Sequence, residues 1–195
     1  MLPPEHRTHG VNKLQASLGA LGGDLSKLES LTHEDFRIIG AYVQLYNFLE
    51  FNCRRAVEIF AGVGMLKGLA AEKPQRVHSS KLFETAKGVV ARMDPTVEDV
   101  PDSLAKLDEI ELRKGFRNLF AHWAARRIPG QDAIVLFSMD GYDERQISGA
   151  DAPFRDSART AMINLADIRG LLVHMSDYER WMGHKVAEWY ARYPM

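Results

Sequence analysis

The sequence predicts a mainly α-helical protein that carries one small β-hairpin. Three observations lead there. Long proline-free stretches repeat apolar residues at steps of three and four. Those stretches open on capping residues and close on Asp-Pro or Pro-Gly pairs. A single β-prone run, Ile134 to Phe137, is followed by the turn signal Asp140-Gly141 and a polar return, which places a hairpin near 133–148.

The chain has 195 residues, 46% of them hydrophobic, enough to bury the core of one ordinary domain. No linker, internal repeat or low-complexity tract divides it, so residues 11–195 read as one helical domain. Residues 1–10, MLPPEHRTHG, are polar and proline-containing and read as a flexible arm. A weak amphipathic segment follows, with Leu14, Leu18, Leu21, Leu25 and Leu28 in helical register. Gly19, Gly22 and Gly23 weaken it, since each costs about 1 kcal/mol in a helix interior.

The next helix has stronger credentials. Thr32 is placed to cap it, Glu34 and Asp35 suit the positive end of its dipole, and FRIIGAYVQLYNFLEFNCRRAVEIF runs to about Ala61 without a proline. One stripe of this helix reads Phe36, Gly40, Val43, Asn47, Glu50, Arg54, Val57, Ala61. Its polar members form either a solvated strip, with Glu50 and Arg54 paired four apart, or a polar patch facing a site.

A helix is expected from Ser79 to Met93, ended by Asp94-Pro95. Another runs from the Pro101-Asp102-Ser103 turn to about Arg126, burying Leu104, Leu107, Phe116, Leu119, Phe120 and Trp123, and Pro129-Gly130 stops it. A final helix is capped by Asp156 or Ser157 and extends to about Tyr190.

Composition narrows the function. Lys and Arg number 25 against 26 Asp and Glu, a net charge of −1, so a protein that coats nucleic acid is excluded and any RNA contact needs a local basic cleft. The lone Cys53 rules out a disulfide framework and a cysteine zinc site within one chain. His174 and Asp177 find no third ligand at helical spacing, so no metal is expected. Gly62-Val63-Gly64 lacks the strand and the Gly-Lys-Ser/Thr ending of a phosphate loop, and reads as a helix break. No apolar run approaches the roughly 18 residues of a membrane span, and the start lacks a signal-peptide pattern; cytoplasm is the expected location.

One segment carries chemistry. Arg117-Asn118-Leu119-Phe120-Ala121-His122 sits in the central helix and resembles the Arg-x4–6-His motif of the HEPN superfamily, in which Asn commonly follows Arg. The looser pattern from about residue 33 to 190 fits too: Ile39-Gly40 and Leu49-Glu50 resemble the family's early helix, and a late helix follows the motif. The resemblance implies an antiparallel helical bundle and a homodimer. On one helix, five residues turn the chain by about 140°, so Arg117 and His122 do not share a line, whereas Asn118 and His122 share a face. Two motif helices meeting at a two-fold axis would complete the site.

The activity implied by the family is metal-independent RNA cleavage that needs no cofactor. His122 would move protons at the 2′-hydroxyl and the leaving 5′-oxygen, Arg117 would hold the phosphate, and Asn118 would orient His122 or the phosphate. Arg113, Arg126 and Arg127 would extend the basic surface toward substrate, with Asn47 and Glu50 in support. The biological setting implied is toxin–antitoxin or phage defence, with an antitoxin or regulatory protein as partner. One departure bears on that partner: Ala124 stands where the Arg-x4-His-x-Tyr subtype has tyrosine. Two readings stay open beside the enzyme. One is a non-catalytic HEPN module binding nucleotide, RNA or a protein. The other is a structural helical dimer in which Arg117 pairs with Glu50.

Overall fold

A computed structural model describes residues 16–22, 24–69, 77–138 and 159–193. The expected arm at 1–10 and the expected hairpin return at 139–148 lie outside the described residues. The protein is mainly helical, with a small antiparallel sheet. Its helices are α1 (His33–Gly62), α2 (Leu82–Val90), α3 (Val100–Leu112), α4 (Lys114–His122) and α5 (Leu165–Arg192); its strands are β1 (Ala124–Arg127), β2 (Ala133–Ser138) and β3 (Arg159–Asn164). The chain forms two compact units, Met1–Val43 with Gly115–Val173, and Gln44–Lys114 with His174–Met195.

The first unit is built on the sheet, ordered β1-β2-β3. Among the described strands the central one, β2, is the richest in buried apolar residues: Ala133 to Leu136 are all 1% exposed or less. Arg127 pairs with Ile134 on one side of it, and Asn164 pairs with Ala133 on the other. The turn between β1 and β2 contains Gly130 at φ +65°, a conformation that favours glycine. Leu28, Ile128, Ala133 and Val135 make a small core, covered by Leu18, Leu21, Phe137 and Met162. Part of the weak leucine segment is therefore helical, at residues 16–20, and earns its place by packing. Glu29 and Arg127 exchange backbone hydrogen bonds of 3.1 and 2.9 Å along the outer edge of β1.

α1 begins where its cap predicts. Thr32 Oγ1 accepts from the Asp35 amide (3.2 Å), while the Asp35 carboxylate accepts from the Thr32 amide and hydroxyl (both 2.7 Å). This is a reciprocal capping box with aspartate in the usual glutamate position.

The second unit is all helical. Tyr46, Leu49, Cys53, Val57 and Phe60 of α1 are buried, as are Leu82, Phe83 and Val89 of α2, Leu107 and Ile110 of α3, and Met175, Met182 and Trp189 of α5. Phe60 meets Trp189 at 5.0 Å between ring centres. Charge is placed with care inside this unit. Glu98, 3% exposed, accepts from Ser103 Oγ (2.6 Å) and Trp189 Nε1 (3.1 Å) and pairs with Lys185 (3.1 Å). Lys87 joins α2 to α3 through Asp108 (2.6 Å) and Glu111 (2.7 Å). α1 ends at Gly62, and Gly64 and Gly68 follow with φ of +77°, so this glycine-rich stretch is the expected helix break.

Three expectations need correction. The helix expected over 102–126 is two helices, interrupted at Arg113 just before Gly115. It stops at His122, and Ala124–Arg127, assigned to its end, form β1 instead. The last helix starts at Leu165 and not near 157, because residues 159–164 pair with β2 as β3.

Candidate functional site

α4 is only nine residues long, and its apolar side holds it. Phe116 and Phe120 present themselves edge-on to the Tyr42 ring, with centroids 6.4 and 5.4 Å away, and Leu119 is buried with Phe120. With that face anchored, the remaining positions are fixed by the helical turn. Ala121 and His122 are exposed, and Arg117 and Asn118 are half-buried.

Asn118 serves Arg117 and not the imidazole: its Oδ1 accepts from Arg117 Nη1 at 3.1 Å. His122 is the last residue of α4, and Trp123, whose amide closes the final turn onto the Leu119 carbonyl (3.0 Å), leads into β1.

The flanking arginines have separate fates. Arg113, 7% exposed, ends α3 and pairs with Glu109 at 2.7 Å. Arg127 sends Nη1 to Asp35 Oδ1 (2.6 Å) and Nη2 to the Gln131 carbonyl (3.2 Å), so a buried carboxylate answers its charge. Arg126, on the opposite side of the strand by the two-residue alternation, is exposed and donates to Ser30 Oγ at 3.0 Å. In the second unit, Asn47 is exposed and Glu50 half-buried on α1, while Arg54 donates to the Val77 carbonyl at 3.3 Å.

A pocket of about 460 Å³ opens in the first unit, lined by Ser30, Leu31, Phe36, Ile39, Phe120, Trp123, Ala125 and Arg126. The sequence held a trace of it. Phe36 is 62% exposed at the head of the stripe that includes Gly40 and Val43. Trp123, expected to be buried inside a helix, is instead half-buried at the junction of α4 and β1, and that junction forms one wall.

Among the described residues no group of three His, Cys, Asp or Glu side chains is arranged to hold a metal, and His174 and His184 are exposed on α5. Also among the described residues, no helix is long and apolar enough to cross a membrane. No family model, curated protein or solved structure matches this chain.

Proposed function

We propose that this chain is a HEPN-type, metal-independent endoribonuclease that works as a homodimer. The observation that carries the reading is α4 itself, where a guanidinium braced by the next side chain, Asn118, precedes a solvent-facing imidazole by five residues. With about 140° between them on one helix, these two groups serve a single phosphate best when a second copy supplies the complement.

In the reaction, one His122 takes the proton of a ribose 2′-hydroxyl. The 2′-oxygen forms a bond to the adjacent phosphorus, and the bond from phosphorus to the 5′-oxygen breaks. The second His122, in its charged form, gives a proton to that leaving oxygen. The products are a 2′,3′-cyclic phosphate and a free 5′-hydroxyl. Arg117 offers a permanently charged fork to the two non-bridging oxygens, where charge gathers in the transition state. Arg126 is the flanking cation that no described carboxylate neutralises, and it suits the strand's next phosphate. A role as toxin or phage-defence effector, with a protein that restrains it, follows from family analogy alone.

The test incubates the purified chain with mixed RNA in chelator and compares wild type with His122→Ala and Arg117→Ala. His122→Ala should lose about 100-fold or more of the cleavage rate, the usual scale of acid–base catalysis. Its thermal midpoint should barely move, because the side chain is exposed. The new ends should resist phosphatase until the cyclic phosphate is opened. RNA left intact by wild type but retained on the protein would favour a non-catalytic binding module, and cleavage that survives both substitutions would remove α4 from the mechanism.

A further inference from the structure

The pocket beside α4 has a definite chemical character. Its lining includes three aromatic residues, Phe36, Phe120 and Trp123, beside Ile39 and Leu31, and its polar members are Ser30 and Arg126. About 460 Å³ falls within the range of sites that hold one small organic group. Flat apolar walls accept a planar ring, and a guanidinium accepts an anion.

The state of Arg126 favours an anion from outside. Arg127 and Arg169, in the same unit, are answered by Asp35 and Asp132. Arg126 instead donates to the neutral Ser30 hydroxyl, which orients it without cancelling its charge. Phe36 also stands out. Its neighbours Asp35 and Ile38 are buried, yet its ring is 62% exposed over the pocket, where it adds nothing to the core.

We propose that this pocket receives one base of the RNA strand, stacked against Phe36 and Trp123, with a neighbouring phosphate on Arg126, and that it gives the enzyme a preference for a purine. The proposal rests on RNA being the substrate, as argued above. Two of the lining residues, Phe120 and Trp123, flank His122 in the sequence, which links the pocket to the end of α4. The preference follows from the lining. Recognition here is by stacking area, and the larger purine ring system stacks more strongly than a pyrimidine.

The experiment measures equilibrium binding of end-labelled hexa-adenylate and hexa-uridylate to the full chain carrying His122→Ala, which separates binding from cleavage. Hexa-adenylate should bind more tightly. Phe36→Ala, at an exposed position that should leave folding intact, should weaken hexa-adenylate binding about tenfold and shrink the difference between the two strands. Arg126→Gln should weaken both strands alike and lower the salt dependence by about one ion. Equal binding of the two strands, or Phe36→Ala binding as its parent does, overturns the proposal even if wild type cuts RNA. So does a Phe36→Ala change in sedimentation with RNA affinity unaltered, which would make the pocket a self-association surface. A purine preference that depends on Phe36, found together with an inactive wild type, would sustain the pocket and remove the nuclease.

Discussion

Replacing Asp35 by asparagine tests the structural logic of the first unit most directly. The carboxylate is fully buried and accepts three hydrogen bonds, from Arg127 Nη1 (2.6 Å) and from the Thr32 amide and hydroxyl (both 2.7 Å). Asparagine has a single acceptor oxygen. If that oxygen stays with Thr32, its NH2 group faces the guanidinium and two donors oppose each other. The lost charge-assisted bond, with a guanidinium only 18% exposed left to the longer pairing with Asp132 (3.8 Å), should cost about 3 kcal/mol. In urea, with a slope of about 2 kcal/mol per molar, the midpoint should fall by about 1.5 M. Arg127→Met alone should be comparably harmful. The double variant should be about 2 kcal/mol better than the sum of the singles, because it removes both members of one ion pair. pH provides a second handle. Burial pushes the Asp35 carboxyl up, but the bonds from Arg127 and Thr32 outweigh it and hold the group below the usual aspartate range. A depressed folded pKa means stabilisation that is complete above the unfolded value of about 4 and is lost as pH falls through the folded one. The gap between wild type and Asp35→Asn should therefore be widest near neutrality and close in acid. Additive singles, or a gap that stays constant into acid, would refute the argument.

Two further outcomes are expected in the second unit. Burial raises the Glu98 carboxyl, yet the bonds from Ser103, Trp189 and Lys185 prevail and hold it below its ordinary value. Glu98→Gln should accordingly cost about 2 to 3 kcal/mol at neutral pH, with the deficit fading below about pH 4, as followed by near-ultraviolet circular dichroism of Trp189. Cys53 is fully buried and burial pushes its thiol up, so a disulfide reagent should label the protein only as fast as it unfolds; rapid labelling of the native chain would contradict the placement of α1.

Much of the helical layout was legible. α1 spans His33–Gly62 against an expected run to about Ala61, because capping chemistry and the absence of proline act locally. Most of the face it buries lies just before the stripe singled out in the sequence, with Val57 common to both. Asp35, Ile38, Tyr42, Tyr46, Leu49, Cys53, Ala56 and Phe60 line it, and two tyrosines and an aspartate hid it from a hydrophobic reading. The outer strands were not legible. Ala124-Ala125-Arg126-Arg127 is composed of good helix formers, and what makes it a strand is pairing with Val135 and Ile134 and with Glu29, which no local propensity encodes. β3 is likewise defined by its partner. Arg117, Asn118 and His122 stood in plain view in the sequence, but the pocket near the end of α4 did not. It draws on residues from 30 to 126 that are far apart in the chain.

The brevity of α4 has a practical consequence. A segment of nine residues is well short of the roughly 12 to 15 at which an isolated helix becomes even marginally stable in water. A synthetic peptide spanning Lys114–His122 will therefore be a coil, with its arginine and histidine at no defined separation. Any attempt to transplant this motif onto another scaffold must bring along an aromatic shelf equivalent to Tyr42, or the grafted pair will be chemically present and geometrically lost.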